Sequence, residues 1–243
     1  MSEGATPSQG RLVLVATPLG NLGDITLRSL EALRSADTVL CEDTRSTGSL
    51  FKHLGISAKL QPYHAHNEHA VLAKVVDQIR NGRMVALVSD AGTPGISDPG
   101  FLLVRALIEE GLEVDVLPGP TALVPALLLS GFPCDRFVFE GFLPLKKGRK
   151  TRIENLRNET RTILLYESPH RIQRTLGELK AALGPERRAC LARELTKLHQ
   201  ETRRFSLAEL EASCIQRPPK GEIVLVIEGS LSKSSAQEPG EEA

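Results

Sequence analysis

The sequence predicts two α/β domains with a ligand cleft between them, and three observations support this fold. Short runs rich in Val, Leu and Ile alternate with amphipathic segments of helical spacing, which is typical of a mainly parallel sheet covered by helices. Loops rich in Gly and Pro follow several of these runs. A helix-stop signal, Ser130-Gly131-Phe132-Pro133, lies near the middle of the 243 residues and predicts a domain boundary.

The first domain is predicted to span residues 11–134. Its apolar runs predict strands at residues 12–16, 38–41, 85–89 and 114–117. Helical spacing predicts helices at residues 27–34, 71–79 and 101–110, and the Ala- and Leu-rich residues 121–129 predict one more. This order of elements predicts a sheet whose strands are buried on both faces.

The second domain is predicted to span residues 135–229. Strands are expected at residues 137–140, 162–166, 189–193 and 223–228, with an edge strand at 202–206. Helices are expected at residues 171–183 and 207–213, and a basic polar segment at 143–152. Residues 1–10 and 230–243 are rich in Ser, Gly, Pro and Glu, which predicts disorder.

The composition excludes several classes of protein. Hydrophobic residues make up 41% and charged residues 25% of the chain, as in ordinary globular domains. No apolar run reaches the ~18 residues of a membrane helix, and the polar N-terminus lacks the features of a secretory signal. We therefore expect a cytoplasmic protein without a membrane partner. The four cysteines are far apart, which predicts free thiols rather than a disulfide or zinc framework.

The net charge of zero hides an asymmetry along the chain. Residues 135–229 carry nineteen Lys and Arg against thirteen Asp and Glu, whereas residues 1–134 carry ten against fourteen. A basic half indicates a polyanionic partner. Solvation of helix faces by Lys and Arg is the alternative explanation.

Three loops rich in Gly and Pro follow predicted strands, at residues 16–24, 89–100 and 118–122. Ligands bind beyond the carboxyl ends of the strands in an open α/β sheet, and Gly lets the backbone approach them closely. The loops therefore predict a small-molecule site. The patterns GxGxxG, GxxxxGK[ST] and HExxH are absent, which argues against a dinucleotide fingerprint, a P-loop and a zinc protease. Asp90 is expected to bind a ligand hydroxyl or amino group, to close an Asx-turn, or to do both.

Charged residues follow three predicted strands. Capping of the next helix by Asp43 or Thr44 leaves Glu42 and Arg45 available for substrate. In the second domain Ser168 and Pro169 match the N-cap and first position of a helix, which leaves other residues as functional candidates. Those candidates are Glu167, His170 and Arg171, and a further polar strand end is Arg193-Glu194-Leu195-Thr196-Lys197. For His64, His66 and His69 we favour substrate contact or capping over a metal site, and we predict no metal.

Together these segments resemble the tetrapyrrole-methylase superfamily of S-adenosylmethionine-dependent methyltransferases. Within it, the chain is most similar to the enzymes that methylate the 2′-hydroxyl of a cytidine ribose in 16S ribosomal RNA. The similar stretches, which extend over residues 11–229, are 16–26, 41–45, 63–68, 89–100, 117–122, 166–171, 193–197 and 220–222. Gly92-Thr93-Pro94 stands where tetrapyrrole methylases usually have Gly-Asp-Pro, which favours the RNA branch.

The resemblance implies a homodimer that binds S-adenosylmethionine in the cleft and acts on 16S rRNA within the small ribosomal subunit. It implies cofactor contacts by Pro18, Asp90, Ala91, Gly92, Thr93, Ile96, Thr121, Ala122 and, more loosely, Glu167. Methylation of a tetrapyrrole and a non-catalytic ribosome-binding factor remain the alternatives.

Methyl transfer to a hydroxyl is assisted by a general base, and no metal is required. The catalytic candidates are Glu42, Asp43, Arg45, His170 and Lys197, with Lys197 acting as a base only if burial lowers its pKa. Residues of the basic segment are expected to grip RNA phosphates, which sets affinity rather than sequence choice. They are Lys146, Lys147, Arg149, Lys150 and Arg152.

Overall fold

The computed structural model describes residues 10–230. The disorder predicted for residues 1–10 and 230–243 concerns, apart from Gly10 and Ser230, residues outside this range. The chain forms two compact units that meet in sequence between Thr121 and Ala122. Each unit contains one five-stranded sheet.

The first unit is a parallel sheet with helices on both faces, as the sequence predicted. Its strands are β1 (Arg11–Val15), β2 (Thr38–Cys41), β3 (Leu60–Pro62), β4 (Met84–Leu87) and β5 (Glu113–Leu117). Its helices are α1 (Leu27–Ser35), α2 (Thr44–Leu54), α3 (Glu68–Arg80) and α4 (Phe101–Glu109), with a short 3₁₀ turn at Leu22–Asp24. The strand order is β3-β2-β4-β1-β5, and all neighbours are parallel.

Alternation along the strands divides the core of the first unit into two layers. Leu12 and Leu14 pack with α3 and α4, whereas Val13 and Val15 pack with α1 and α2. Full burial of one such aliphatic side chain stabilises the fold by roughly 1.5–3 kcal/mol. Because all neighbouring strands are parallel, their carboxyl ends lie at the same edge of the sheet.

The second unit contains a mixed sheet. Its strands are β6 (Phe137–Phe142), β7 (Thr162–Glu167), β8 (Arg188–Arg193), β9 (Glu201–Ser206) and β10 (Ile223–Ile227). Its helices are α5 (Leu123–Ser130), α6 (Arg149–Asn155), α7 (Ile172–Leu183) and α8 (Leu207–Gln216). The strand order is β6-β7-β10-β8-β9; β6 and β7 are parallel, and the other neighbours are antiparallel.

Helix α5 belongs by its contacts to the second unit. Ala126 and Leu127 are buried against Leu164, Cys190 and Val224 of the second sheet. From the sequence alone this helix was assigned to the first domain, because its stop signal follows at residues 130–133. By its packing, the division between the two units therefore lies before α5, whereas the helix-stop signal in the sequence lies after it.

Three elements are absent from the sequence-based prediction, because each has few apolar residues. Strand β3 has three residues and pairs only with β2 at the sheet edge. Helix α2 buries only Thr47 and Phe51, and α6 buries only Arg149 and Ile153. Capping stabilises α2, because Asp43 accepts a hydrogen bond from the Arg45 N–H and Gly55 ends the helix in the left-handed conformation.

The predicted helix at residues 171–183 agrees with α7 to within one residue, but the assignment of Ser168 as its N-cap and Pro169 as its first residue is wrong. Ser168 and Pro169 form a turn before the helix, in which the Ser168 carbonyl accepts from the N–H groups of Arg171 and Ile172. The helix begins at Ile172. Between Gly10 and Ser230, no helix is long and apolar enough to cross a membrane.

Candidate active site

The first two Gly/Pro-rich loops are joined by backbone hydrogen bonds. Thr17 and Gly92 exchange two N–H to carbonyl bonds, each of 2.9 Å, and form an isolated antiparallel bridge. The Thr17 hydroxyl also donates to the Ser89 carbonyl over 3.0 Å and is fully buried. Gly92 has φ of +80°, a conformation that favours glycine. The loops after β1 and β4 are thus held to one another.

The third loop joins the other two. The Thr93 hydroxyl donates to the Pro120 carbonyl over 3.0 Å. Gly119 lies so close to Ala16 that an added Cβ would stand 2.9 Å from the Ala16 Cβ. The predicted convergence of three small-residue loops at one edge of the sheet is therefore confirmed for the residues up to Thr121.

The predicted cofactor positions in these loops differ in accessibility. Pro18 and Gly92 are buried and shape the loops, whereas Asp90 and Ile96 are exposed. The remaining ones, which are half-buried, are Ala91, Thr93, Thr121 and Ala122. Asp90 and Ile96 are the side chains most available to a ligand.

Three carboxylates gather at the ends of β2 and β4. Burial raises the pKa of Glu42, and the nearby Asp98 and Asp90 raise it further, against a smaller lowering by His64. Burial and Asp90 likewise raise the pKa of Asp98, and burial raises that of Asp90. No ion pair neutralises these three groups within residues 10–230. Glu42 and Asp90 were predicted from the sequence, but Asp98 was not, because it lies eight residues beyond Asp90 in the same loop and has no separate signal.

Asp43 and Arg45, two other catalytic candidates, bind each other. The Arg45 guanidinium donates to both oxygens of Asp43, over 3.2 and 2.9 Å, and the Arg45 N–H donates over 2.8 Å. These bonds lower the pKa of Asp43 to about 2. A carboxylate of such low pKa is a poor proton acceptor. Asp43 is the N-cap of α2, as the sequence predicted for Asp43 or Thr44.

His64 lies near Glu42 with its ring nitrogen Nδ1 buried and without a hydrogen-bond partner. The local cap is made by Asn67, whose Oδ1 accepts from the His64 N–H over 2.8 Å. The His64 and His66 rings meet edge-on with centroids 6.0 Å apart. Across the described part of the chain, no group of three or more His, Cys, Asp or Glu is placed to hold a metal ion.

Glu167, at the end of β7, is part of a buried hydrogen-bond network. Its carboxylate accepts from Arg171 over 2.7 Å, from the Thr175 hydroxyl over 2.6 Å and from the Ser168 N–H over 2.8 Å. The side chain is 1% exposed. These contacts give Glu167 a structural role in joining β7 to α7, and the cofactor contact predicted for it stays a prediction. His170, the next catalytic candidate, is exposed.

Arg149 extends the same network and is not a surface cation. It is 4% exposed and donates to Glu178 over 2.6 Å, to the Thr175 hydroxyl over 2.7 Å and to the Pro144 carbonyl over 3.2 Å. The prediction that Arg149 grips RNA phosphates is therefore wrong. The other predicted RNA contacts are exposed, although Arg152 is paired with Glu140: Lys146, Lys147, Lys150 and Arg152.

Lys197 is held between two carboxylates in a loop of unusual backbone conformation. Its ammonium donates to Glu194 and Glu222, each over 3.0 Å. Burial lowers the pKa of Lys197, but the bonds to Glu222 and Glu194 outweigh burial and leave the pKa raised. The condition for Lys197 as a base is therefore not met. Glu194 and Thr196 have φ of +51° and +66°, which is uncommon for residues other than glycine.

The chain matches one family model and many known proteins. The model for tetrapyrrole (corrin/porphyrin) methylases matches residues 11–211. Ribosomal RNA small subunit methyltransferase I from Synechocystis sp. is 49% identical over 222 residues, which cover 91% of this chain and 80% of that protein. The protein of the same name from Escherichia coli O157:H7 is 46% identical over 230 residues, which cover 93% of this chain and 80% of that protein.

Solved structures share the fold. One of them is uroporphyrin-III C-methyltransferase from Thermus thermophilus complexed with S-adenyl homocysteine. It matches with a TM-score of 0.63 and 20% identity, covering 90% of this chain and 97% of that one. At this identity the likeness concerns the fold alone.

Proposed function

The chain belongs to the tetrapyrrole (corrin/porphyrin) methylase family, and within that family we propose that it methylates ribosomal RNA. The reaction is transfer of a methyl group from S-adenosylmethionine to the 2′-hydroxyl of a cytidine ribose in 16S rRNA. The observation that carries this proposal is the 49% and 46% identity, over more than nine-tenths of the chain, to proteins named ribosomal RNA small subunit methyltransferase I.

The residues of the first unit fit the cofactor. S-adenosylmethionine carries a sulfonium and an ammonium group, and the unneutralised carboxylates Glu42, Asp90 and Asp98 favour a cation. The bridge between Thr17 and Gly92 and the contact between Ala16 and Gly119 fix small residues where a ligand is expected in this type of fold. Asp90, Ile96 and Thr93 are proposed to contact the cofactor, and Pro18 and Gly92 to shape the loops around it.

S-adenosylmethionine, when bound, supplies an electrophilic methyl group. The task of the protein is to orient the 2′-hydroxyl and to accept its proton. Glu42 suits the second task because its carboxylate has no cationic partner among the described residues and burial raises its pKa. A carboxylate with a raised pKa is a stronger base than Asp43, whose pKa is about 2. Lys197 stays protonated between Glu194 and Glu222, and Arg45 is occupied by Asp43.

The proposal extends to the setting of the reaction. We infer that the protein acts in the cytoplasm as a homodimer on the small ribosomal subunit. The names of the bacterial relatives support the subunit, and the sequence resemblance supports the dimer. Sedimentation of the purified protein tests the dimer separately from the activity.

The decisive experiment supplies labelled S-adenosylmethionine and small ribosomal subunits from cells lacking the enzyme. Product nucleosides are then identified by mass spectrometry. The proposal expects one 2′-O-methylated cytidine. Methyl transfer to a tetrapyrrole but not to RNA, or binding to the subunit with no methyl transfer at all, would overturn it in favour of the corresponding alternative.

A further inference from the structure

A groove lies between α6 and α7 in the second unit. Its volume is about 690 Å³, and one wall is formed by the small side chains of Ala181 and Ala182. It is lined by Lys146 before α6, Lys150 in the first turn of α6, Arg157 after the end of α6, and Arg174 on α7. We call this feature the α6–α7 groove. Cations were predicted in the basic segment 143–152, but the sequence did not indicate that they lie beside α7.

The charges in the α6–α7 groove do not cancel. Its lining includes five Lys and Arg side chains and two carboxylates, Glu154 and Glu178. Glu178 is shared by Arg149 and Arg174, over 2.6 and 2.9 Å, and their hydrogen bonds outweigh burial and lower its pKa. Glu154 stands 3.7 Å from Lys150. The groove is therefore net positive.

Two of its cations have no acidic partner. Within residues 10–230, neither Lys146 nor Arg157 forms an ion pair, and both are exposed. They stand at opposite ends of the α6 segment, so a ligand that neutralises both must be extended and carry more than one negative charge. A single small anion does not meet this requirement.

The floor of the α6–α7 groove is held by buried hydrogen bonds. Arg149 is nine-tenths buried or more and ties α6 to α7 through Glu178 and Thr175. Thr175 in turn donates to Glu167 at the end of β7. Because the floor is satisfied by its own hydrogen bonds, the cations at the rim are presented without a need for rearrangement.

We propose that the α6–α7 groove binds the sugar–phosphate backbone of the substrate RNA, with Lys146 and Arg157 each neutralising a phosphate. This inference rests on the proposed function for the identity of the polyanion. Contacts to phosphates set affinity and register but do not read bases. The groove thus contributes to binding of the substrate and not to the choice of nucleotide.

The test compares two double variants that lose the same charge. The groove variant is Lys146→Ala/Arg157→Ala, and the control is Lys52→Ala/Lys220→Ala, which removes two exposed lysines outside the groove. The probe is a fragment of small-subunit rRNA, with filter binding measured between about 50 and 200 mM salt. Thermal unfolding and S-adenosylmethionine affinity verify that both variants fold.

We expect the groove variant to bind RNA about tenfold more weakly and the control to bind as the unchanged protein does. The slope of log K against log salt should fall by about 0.7 for each cation lost on a single strand. The loss of affinity should be equal for unrelated RNA sequences. The double variant Lys146→Arg/Arg157→Lys, which keeps both positive charges, should bind RNA as the unchanged protein does. In turnover, KM for RNA should rise while kcat at saturating RNA stays unchanged.

Unchanged RNA affinity and salt slope in the groove variant would overturn the inference. So would weaker binding to whole subunits with unchanged binding to free rRNA, which would point to an acidic protein segment as the occupant. These results leave 2′-O-methylation by the unchanged protein intact. Conversely, loss of RNA binding in the groove variant, with no methylcytidine formed by the unchanged protein, would sustain the groove and reject the proposed function.

Discussion

Carboxylates lie near strand ends in both units, but Glu42, Asp90 and Asp98 of the first unit have no ion-pair partner among residues 10–230, whereas Glu194 and Glu201 of the second unit do. Glu42 and Asp98 lie close to one another, and their pKa values are raised. Glu194 and Glu201 are paired with Lys197 and with Arg203, and their pKa values are lowered. Unpaired like charges cost stability, so their presence indicates a ligand or a reaction, whereas paired charges hold the chain together.

The largest effect is expected where a paired carboxylate is most buried. Glu167→Ala removes the partner of Arg171 and Thr175, and breaking a buried pair costs about 3–5 kcal/mol. Denaturant unfolding measures the loss. Glu109→Ala, which breaks the exposed pair with Arg105, serves as control and should cost at most about 0.5 kcal/mol. If Glu167→Ala instead left stability near the control and weakened cofactor binding, Glu167 would belong to the cofactor site.

Among the unpaired carboxylates, Glu42 should act mainly on rate. Glu42→Gln is expected to lower kcat about 100-fold, the effect of losing a general base. The loss of S-adenosylmethionine affinity should be smaller, because Asp90 and Asp98 still favour a cation. Asp43→Asn is the neighbouring control, because Asn still caps α2, and it should retain most of the activity. Equal losses in the two variants would remove the distinction between them.

The pH profile sharpens the role of Glu42. A base must be ionised, so kcat/KM should fall as the pH decreases through the raised pKa of Glu42. Asp98→Asn removes a negative neighbour, lowers the pKa of Glu42 and should extend activity to lower pH. If Asp98→Asn did not shift the acid limb of the kcat/KM profile, the titrating group would be a residue other than Glu42.

Gly92 in a proposed cofactor loop and Gly55 at the end of α2 both adopt the left-handed conformation, so a comparison of their Ala variants tests the cofactor loop. Gly92 has φ of +80° and only 3.2 Å between an added Cβ and the Leu19 Cδ2, whereas Gly55 has φ of +62° and open space. Both Ala variants should lose about 1–2 kcal/mol to backbone strain. Gly92→Ala alone should also weaken binding of S-adenosylmethionine in calorimetry. Equal S-adenosylmethionine affinities in the two variants would show that the Thr17–Gly92 bridge does not contribute to cofactor binding.

The smallest effect is on stability as a function of pH. Because the pKa of Asp98 is raised by folding, its ionisation destabilises the folded state at neutral pH. This cost fades as the pH falls below the folded pKa and is gone below the pKa of the unfolded chain. Asp98→Asn should therefore raise Tm at neutral pH, by at most about 2–4 °C, and change nothing in acid. Glu201→Gln should lower Tm at neutral pH, and its effect should fade as the pH falls, because the pKa of Glu201 is lowered. Shifts of the same sign would contradict the contrast between the units.

Local patterns in the sequence were enough for the fold class and for the convergence of the loops. Apolar runs such as residues 12–15 show a strand buried on both faces, and Gly/Pro-rich loops after parallel strands must meet at one edge. Asp43 was recognisable as a cap because capping depends on adjacent residues. These features follow from interactions over a few positions, which the order of residues determines directly.

Only the tertiary structure decided which charged residues are free. Arg149 reads as one cation in a basic segment, yet its partner Glu178 lies on another helix and buries it. Lys197 binds Glu222, which directly precedes β10. Asp98 raises the pKa of Glu42, which follows a different strand. Helix α5 is apolar on all sides, so its sequence likewise did not indicate which side packs on the second sheet. Partnering and burial depend on contacts between distant segments, and a pattern of neighbouring residues does not contain them.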